Sequence, residues 1–161
     1  MKDHKLIVAD QLKLEAVQVV NDKVMGGKSE AHVETHREGI RFYGQVSLVN
    51  NGGFASFRIP VQPKNISAFS AFLIKLKGDG RTYQFRVQED QQQNHAYVAN
   101  FDTTGQLQAI KINFDQLKPQ FRGDALALPN FNGKSLSRLG FMILPGKAVD
   151  FELCFKEISL I

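Results

Sequence analysis

Ile40-Arg41-Phe42-Tyr43-Gly44-Gln45-Val46-Ser47-Leu48 runs into Asn50-Asn51-Gly52-Gly53, and then into Phe54-Ala55-Ser56-Phe57-Arg58-Ile59. The first segment alternates: Ile40, Phe42, Gly44, Val46 and Leu48 share one face, and Arg41, Tyr43, Gln45 and Ser47 share the other. Side chains with a period of two belong to a strand with one buried face. The Asn-Asn-Gly-Gly stretch reverses the chain, because both residue types tolerate positive φ. In the third segment Ala55, Phe57 and Ile59 point inward, while Phe54, Ser56 and Arg58 point away.

Moving upstream, Ala31, Val33 and Thr35 alternate with Glu30, His32, Glu34 and His36, and the turn Glu38-Gly39 ends that strand. Glu15–Val20 is a first strand or its lead-in, after a short apolar stretch at Leu6–Val8. Between these lies Asn21-Asp22-Lys23-Val24-Met25-Gly26-Gly27-Lys28-Ser29, a connection with more glycine and small polar side chains than a turn requires. Downstream, Phe72/Ile74/Leu76, Tyr83/Phe85/Val87, His95–Asp102, Leu107–Phe114, Leu139/Phe141/Ile143 and Phe151/Leu153/Phe155 all read as strands. Pro60 and Pro63 bracket an expected loop, because proline donates nothing to a ladder. Glu89–Asn94 reads as a loop. Asp115 to Lys134 reads as a long connection with a helical turn at Asp115–Leu117.

About nine or ten short strands without a long helix predict an all-β antiparallel sandwich or jelly roll. If each strand reverses the last, Asn21–Lys28, Asn50–Gly53, Gly78–Gly80 and Thr103–Gly105 gather at one end. The Pro60–Pro63 and Glu89–Asn94 segments gather at the other.

The 161 residues suggest one domain, 1–161, large enough to fold without a staple. Net charge is +4, and Lys111–Arg138 supplies +3 of it, from five basic and two acidic residues. The basic residues are scattered and match no nucleic-acid-binding motif, so no nucleic-acid partner is expected. One cysteine, Cys154, rules out an internal disulfide, and it reads as a small apolar packing residue. Charges at Lys2, Asp3, Lys5 and Asp10 interrupt any signal-like apolar run, and no run approaches the roughly 18 apolar residues of a membrane helix. A cytoplasmic, non-membrane-spanning protein is expected.

Candidate chemistry is sparse. His32, Glu34 and His36 share a strand face at metal-ligand spacing, but the favoured reading is a solvated face, since no second ligand cluster is visible. His95 is isolated, and His4 lies near the terminus. No Gly-x-Ser-x-Gly elbow and no phosphate loop occurs. Glu30, Glu34 and Asp79 are available carboxylates, with nothing to pair them. A sugar platform is thin: Trp is absent and there are three tyrosines (Tyr43, Tyr83, Tyr97), of which Tyr43 shares an outward face with Arg41. Arg58, Arg81 and Arg122 are the cations of interest. Ion pairs with Asp22 or Asp79 are favoured for them over ligand binding.

Taken in order, Asn21–Ser29, Asn50-Asn51-Gly52-Gly53-Phe54-Ala55-Ser56, Gly78-Asp79-Gly80-Arg81, Phe121-Arg122-Gly123 and Leu139-Gly140-Phe141-Met142-Ile143 resemble the motifs of the complex I intermediate-associated protein family over about residues 15–160, with 1–14 as a lead-in. The resemblance implies a galactose-binding-like β-sandwich. It also implies a non-catalytic role in assembling NADH:ubiquinone oxidoreductase, without a cofactor. The implied partners are respiratory-complex subunits or assembly intermediates.

Three positions depart from the family pattern. Val17 and Leu107 stand where the family usually has Trp, and Ile112-Asn113-Phe114 stands where it often has Ile-Pro-Phe. The expected binding end comprises Asn21, Asp22, Met25, Gly26, Gly27, Ser29, Asn50, Asn51, Gly52, Gly53, Arg58, Arg81 and Arg122. Most residues of the Asn21–Ser29 stretch are read as structural: Gly26 and Gly27 for positive φ, Asp22 and Ser29 for holding amides, Met25 for packing. The alternative function is a lectin-like module that binds a carbohydrate or small ligand near Arg41 and Tyr43.

Overall fold

A computed structural model of the chain describes residues 4–22, 27–37, 39–49 and 53–161. Among these, thirteen strands form: β1 (His4–Val8), β2 (Gln18–Asn21), β3 (Glu30–His36), β4 (Gly39–Val46), β5 (Ala55–Lys64), β6 (Ala71–Lys77), β7 (Thr82–Gln88), β8 (Ala96–Asp102), β9 (Leu107–Asn113), β10 (Lys118–Phe121), β11 (Asp124–Ala125), β12 (Leu136–Ile143) and β13 (Val149–Leu160). They make two antiparallel sheets. One has the order β3-β4-β13-β6-β9, with β1 paired to β13, and the other has the order β11-β10-β8-β7-β12-β5-β2. The protein is an all-β antiparallel sandwich.

The long β13 serves two neighbours on one flank. Val149–Phe155 pairs with β4, and Glu157–Leu160 pairs with β1. On its other flank β6 covers Cys154–Leu160.

The alternation read from the sequence becomes the core. Phe42, Phe57, Phe72, Phe85, Phe141 and Phe155 are essentially fully buried. Phe57 of the seven-stranded sheet meets Phe42 and Phe155 of the other sheet, with ring centroids 4.8 and 5.8 Å apart. Phe141 closes the group, 5.4 Å from Phe57 and 5.9 Å from Phe155. Rings at these separations attract beyond their burial. Phenylalanine thus fills the inter-sheet layer in a chain that has no tryptophan. Truncating one such ring to alanine costs roughly 3–5 kcal/mol.

Several expectations need correcting. Pro60 and Pro63 lie inside β5. Partner strand β2 stops pairing at Arg58, so residues 59–64 have an open flank on which proline interrupts no ladder. The Asp115–Lys134 connection holds a 3-10 turn at Phe114–Gln116, then the edge strands β10 and β11. Strand β1 extends the pattern into the N-terminal lead-in. Leu48 lies beyond the end of β4 and is 47% exposed, contrary to its inward assignment. Strands β4 and β5, on either side of the Asn-Asn-Gly-Gly stretch, do not pair with each other. They belong to opposite sheets, so the connection crosses the core layer, a span of roughly 10 Å.

Candidate functional site

The opening connection is held by one carboxylate. Asp22 follows β2 directly and its side chain is fully buried. Its Oδ1 accepts the Ser29 amide at 2.9 Å, and its Oδ2 accepts the Gly53 amide at 2.6 Å and the Ser29 hydroxyl. Ser29 Oγ in turn accepts the Ser47 amide at 2.9 Å. Burial opposes the charge, but these hydroxyl and amide donors outweigh it and hold the carboxyl below its ordinary value of 3.8. Two amides and a hydroxyl, rather than the arginine considered from sequence, satisfy the Asp22 carboxylate. Gly27 has no positive φ, unlike its expected role. It is glycine because any Cβ would strike the Asp22 carboxylate.

A second clasp lies at the same end. The Thr103 hydroxyl donates to the Arg81 carbonyl at 2.7 Å and accepts the Gly80 amide at 3.0 Å. Asp79 accepts the Glu152 amide at 2.8 Å, and Arg81 Nε donates to the Asp150 carbonyl at 2.9 Å. Val149, at the start of β13, is in register with Val46, next to Ser47. The two clasps therefore lie at the same end of the sandwich, as alternating strand direction predicted. Arg81 also forms the expected pair with Asp79, at 3.7 Å.

On the face carrying Arg41 and Tyr43 there is a depression of about 530 Å³. Both of its arginines are already paired. Arg41 bridges Glu34 at 2.8 Å and Glu152 at 2.9 Å, and its guanidinium lies 3.7 Å above the Tyr43 ring. Glu34 is thereby held below its ordinary value, first by the Arg41 hydrogen bond. Tyr83 and Tyr97 are buried and offer no platform. His32 rests against Tyr43, and among the described residues no group of three His, Cys, Asp or Glu side chains could hold a metal ion.

The larger feature was not anticipated. A groove of about 750 Å³ crosses the outer face of the seven-stranded sheet, from Val20 on β2 to Gln120 on β10. Gly140 lies in its floor, with Arg58 of β5 opposite it on one side and Arg86 of β7 on the other. A Cβ at Gly140 would strike the Phe57 carbonyl oxygen, so the strands approach too closely there for any other residue. Arg138, two residues earlier on β12, and Arg122, on the β10–β11 turn, complete a set of four lining arginines. Among the described residues no carboxylate, histidine or cysteine lines this groove.

Two of these arginines are oriented by neutral groups, and among the described residues none of the four pairs with a carboxylate. Arg86 Nη1 donates to Gln84 Oε1 at 2.7 Å, and Arg138 Nε donates to Gln88 Oε1 at 2.6 Å. Arg138 Nη2 also reaches the Gln91 carbonyl at 3.1 Å. Arg58 Nε is buried and has no partner. Burial first, and then the charge of Arg58, lowers the pKa of both Arg86 and Arg138. The ion pairs expected for Arg58 and Arg122 do not form among the described residues. Apolar rim residues accompany the charge: Phe121 is 40% exposed and Leu144 is 54% exposed.

Of the residues expected at the binding end, Gly53, Arg58 and Arg122 line this groove. Asp22, Gly27, Ser29 and Gly53 form the clasp beside it. Asn21 closes β2 opposite Ala55. Arg81 belongs to the other clasp. Met25, Gly26, Asn50, Asn51 and Gly52 lie outside the described residues. Sequence reasoning missed Arg86 and Arg138. The outward parity of Gln84-Phe85-Arg86-Val87-Gln88 was a signal for the first.

Two packed antiparallel sheets with a groove on one outer face define a β-sandwich of the jelly-roll kind. The chain belongs to the complex I intermediate-associated protein 30 family, whose model matches residues 7–155. Solved structures show the same architecture. A family 11 carbohydrate-binding module from Clostridium thermocellum, in complex with a beta-1,3-1,4-mixed-linked tetrasaccharide, superposes with a TM-score of 0.70 at 13% identity, covering 99% of this chain and 95% of that one. A family 30 carbohydrate-binding module gives 0.61 at 14% identity, covering 100% and 99%. An exo-beta-agarase gives 0.59 at 11% identity, with 98% of this chain matched to 25% of the enzyme. At such identities the likeness is one of fold. No curated protein sequence matches the chain significantly. Among the described residues no helix is long and apolar enough to cross a membrane.

Proposed function

We propose that this protein is a non-catalytic binding module that assists assembly of respiratory complex I through protein contacts, and that it meets its partner with the groove of the seven-stranded sheet. The observation that carries this reading is the composition of the groove. It is open, about 750 Å³ in extent, rimmed by exposed Phe121 and Leu144, and floored by arginines rather than by an acid–base set. The Ser56 hydroxyl, the one serine among its described lining residues, is committed to the Val20 carbonyl at 2.7 Å. Aromatic side chains, methionine and arginine are enriched at protein interfaces, and the groove presents all three in Phe121, Met142 and its arginines. Membership of a family named for complex I intermediates supplies the partner class.

A lectin-like role has the fold on its side and little else. The surface expected for it holds Arg41, whose charge is already bridged to two glutamates.

Affinity purification from the native host tests the proposal. Wild-type protein is expected to recover NADH:ubiquinone oxidoreductase subunits, and a Phe121→Asp/Leu144→Asp double variant to lose them. Equal recovery by both proteins would contradict it, as would a deletion strain with unchanged complex I levels.

A further inference from the structure

We infer that the groove recognises an acidic, extended segment of a partner protein, with side-chain carboxylates seated on Arg58, Arg86 and Arg138. This rests on the reading of the groove as the partner-binding surface.

Three observations lead to it. First, the three guanidinium groups stand on adjacent strands of one face. Arg58 and Arg86 flank Gly140, two strand spacings apart, which is roughly 10 Å between backbones. Arg138 sits one outward position along β12 from that glycine. Second, the groups that hold these arginines are neutral. Gln84, Gln88 and the Gln91 carbonyl accept the hydrogen bonds of Arg86 and Arg138, so their direction is fixed while, among the described residues, no carboxylate answers their charge. Third, Arg58 Nε is buried without a partner. Buried donors are nearly always paired, and an unpaired one on a ligand-facing cation marks a place for an acceptor. A guanidinium offers a planar fork that matches a carboxylate.

The surroundings choose among anions. Inorganic phosphate would use the cations and leave Phe121, Met142 and Leu144 idle. A uronic-acid saccharide would need stacking faces, and the groove offers one largely exposed ring, Phe121, with no tryptophan or tyrosine. An extended peptide that carries both acidic and apolar side chains uses both features. Charge complementarity of this kind also steers approach and weakens with salt.

Fluorescence anisotropy on the intact protein tests this. The probe is a labelled heptapeptide alternating glutamate with leucine. Comparison arms are its glutamine-for-glutamate counterpart, an oligogalacturonate and inorganic phosphate. The acidic peptide should bind wild type and lose affinity at least about tenfold in Arg58→Met, with further loss at high salt. Arg41→Met, on the opposite sheet, should bind as wild type does. Arg58 makes no side-chain hydrogen bond or ion pair among the described residues, and a cooperative thermal transition at or above the wild-type temperature verifies that Arg58→Met stays folded. The inference is overturned if the glutamine peptide binds equally, or if Arg58→Met binds as well as wild type. Tighter binding of the oligogalacturonate would make the occupant a saccharide. Phosphate binding as tightly as the peptide would reduce the groove to a simple anion site. If the peptide fails while the Phe121→Asp/Leu144→Asp variant still loses complex I subunits, the acidic segment is wrong and the partner surface stands.

Discussion

Arg58 and Arg86 face each other across Gly140, each in register with that glycine from a different flank of β12. With no carboxylate among the described lining residues, like charges are held together on a half-buried surface. Their mutual repulsion disfavours the free protein and is relieved when an anion arrives. Arg58→Met should therefore raise stability, by about 1 kcal/mol, because it removes both the repulsion and a buried unpaired donor. Urea denaturation of the two proteins at low and high salt measures this. The gain should shrink as salt screens the wild-type charges.

Asp22 makes a different prediction. Its carboxyl has a folded pKa below the unfolded value of 3.8. The stability it contributes is present above that value and is lost as pH falls through the lower folded value. Asp22→Asn turns an acceptor-only group into one with a misplaced donor, facing the Gly53 amide or the Ser29 group. It should cost roughly 1–3 kcal/mol at pH 7. The difference from wild type should narrow as pH falls below 3.8, where the unfolded wild-type chain takes up the proton that the folded carboxyl resists. Chemical denaturation at pH 7 and pH 3 checks the sign.

At the rim, Arg122 adopts φ of 50° and Gly123 follows at 86°, so the β10–β11 hairpin turns through two left-handed residues. Asparagine or glycine suits the first position of such a turn, whereas arginine is strained there. Arg122→Asn should stabilise the protein by about 0.5–1 kcal/mol while weakening partner capture. Thermal unfolding and affinity purification on the same variant separate the two effects. A loss of stability would show that the stacking of Arg122 on Phe121, at 5.3 Å, outweighs the strain.

The inward residues of the fold were plain in the sequence. Tyr83, Phe85 and Val87, or Phe151, Leu153 and Phe155, alternate so regularly that the buried face follows from the pleat alone. Strand direction gathered the glycine-rich connections at one end, and the clasps made by Asp22 and Thr103 are there. Which sheet each strand joins was not legible. The same alternation on either side of Asn50–Gly53 serves a hairpin or an arch between sheets, and here β4 and β5 take the arch. For that reason the groove was hidden. Arg58, Arg86 and Arg138 each look like one exposed cation on its own strand, and only the order β7-β12-β5 assembles them. Arg58 was singled out without its neighbours, and Arg81 was grouped with it although the structure ties Arg81 to Asp79 and Asp150. The short strands β10 and β11 escaped because Pro119 and the Arg122-Gly123 turn resemble loop chemistry.

Site-specific photo-crosslinking in the native host tests the central claim most directly. A benzophenone side chain at position 144 sits on the groove rim, and one at position 32 sits on the opposite sheet. The account predicts crosslinks to NADH:ubiquinone oxidoreductase subunits from position 144 and none from position 32. Crosslinks to those subunits from position 32 alone would contradict it.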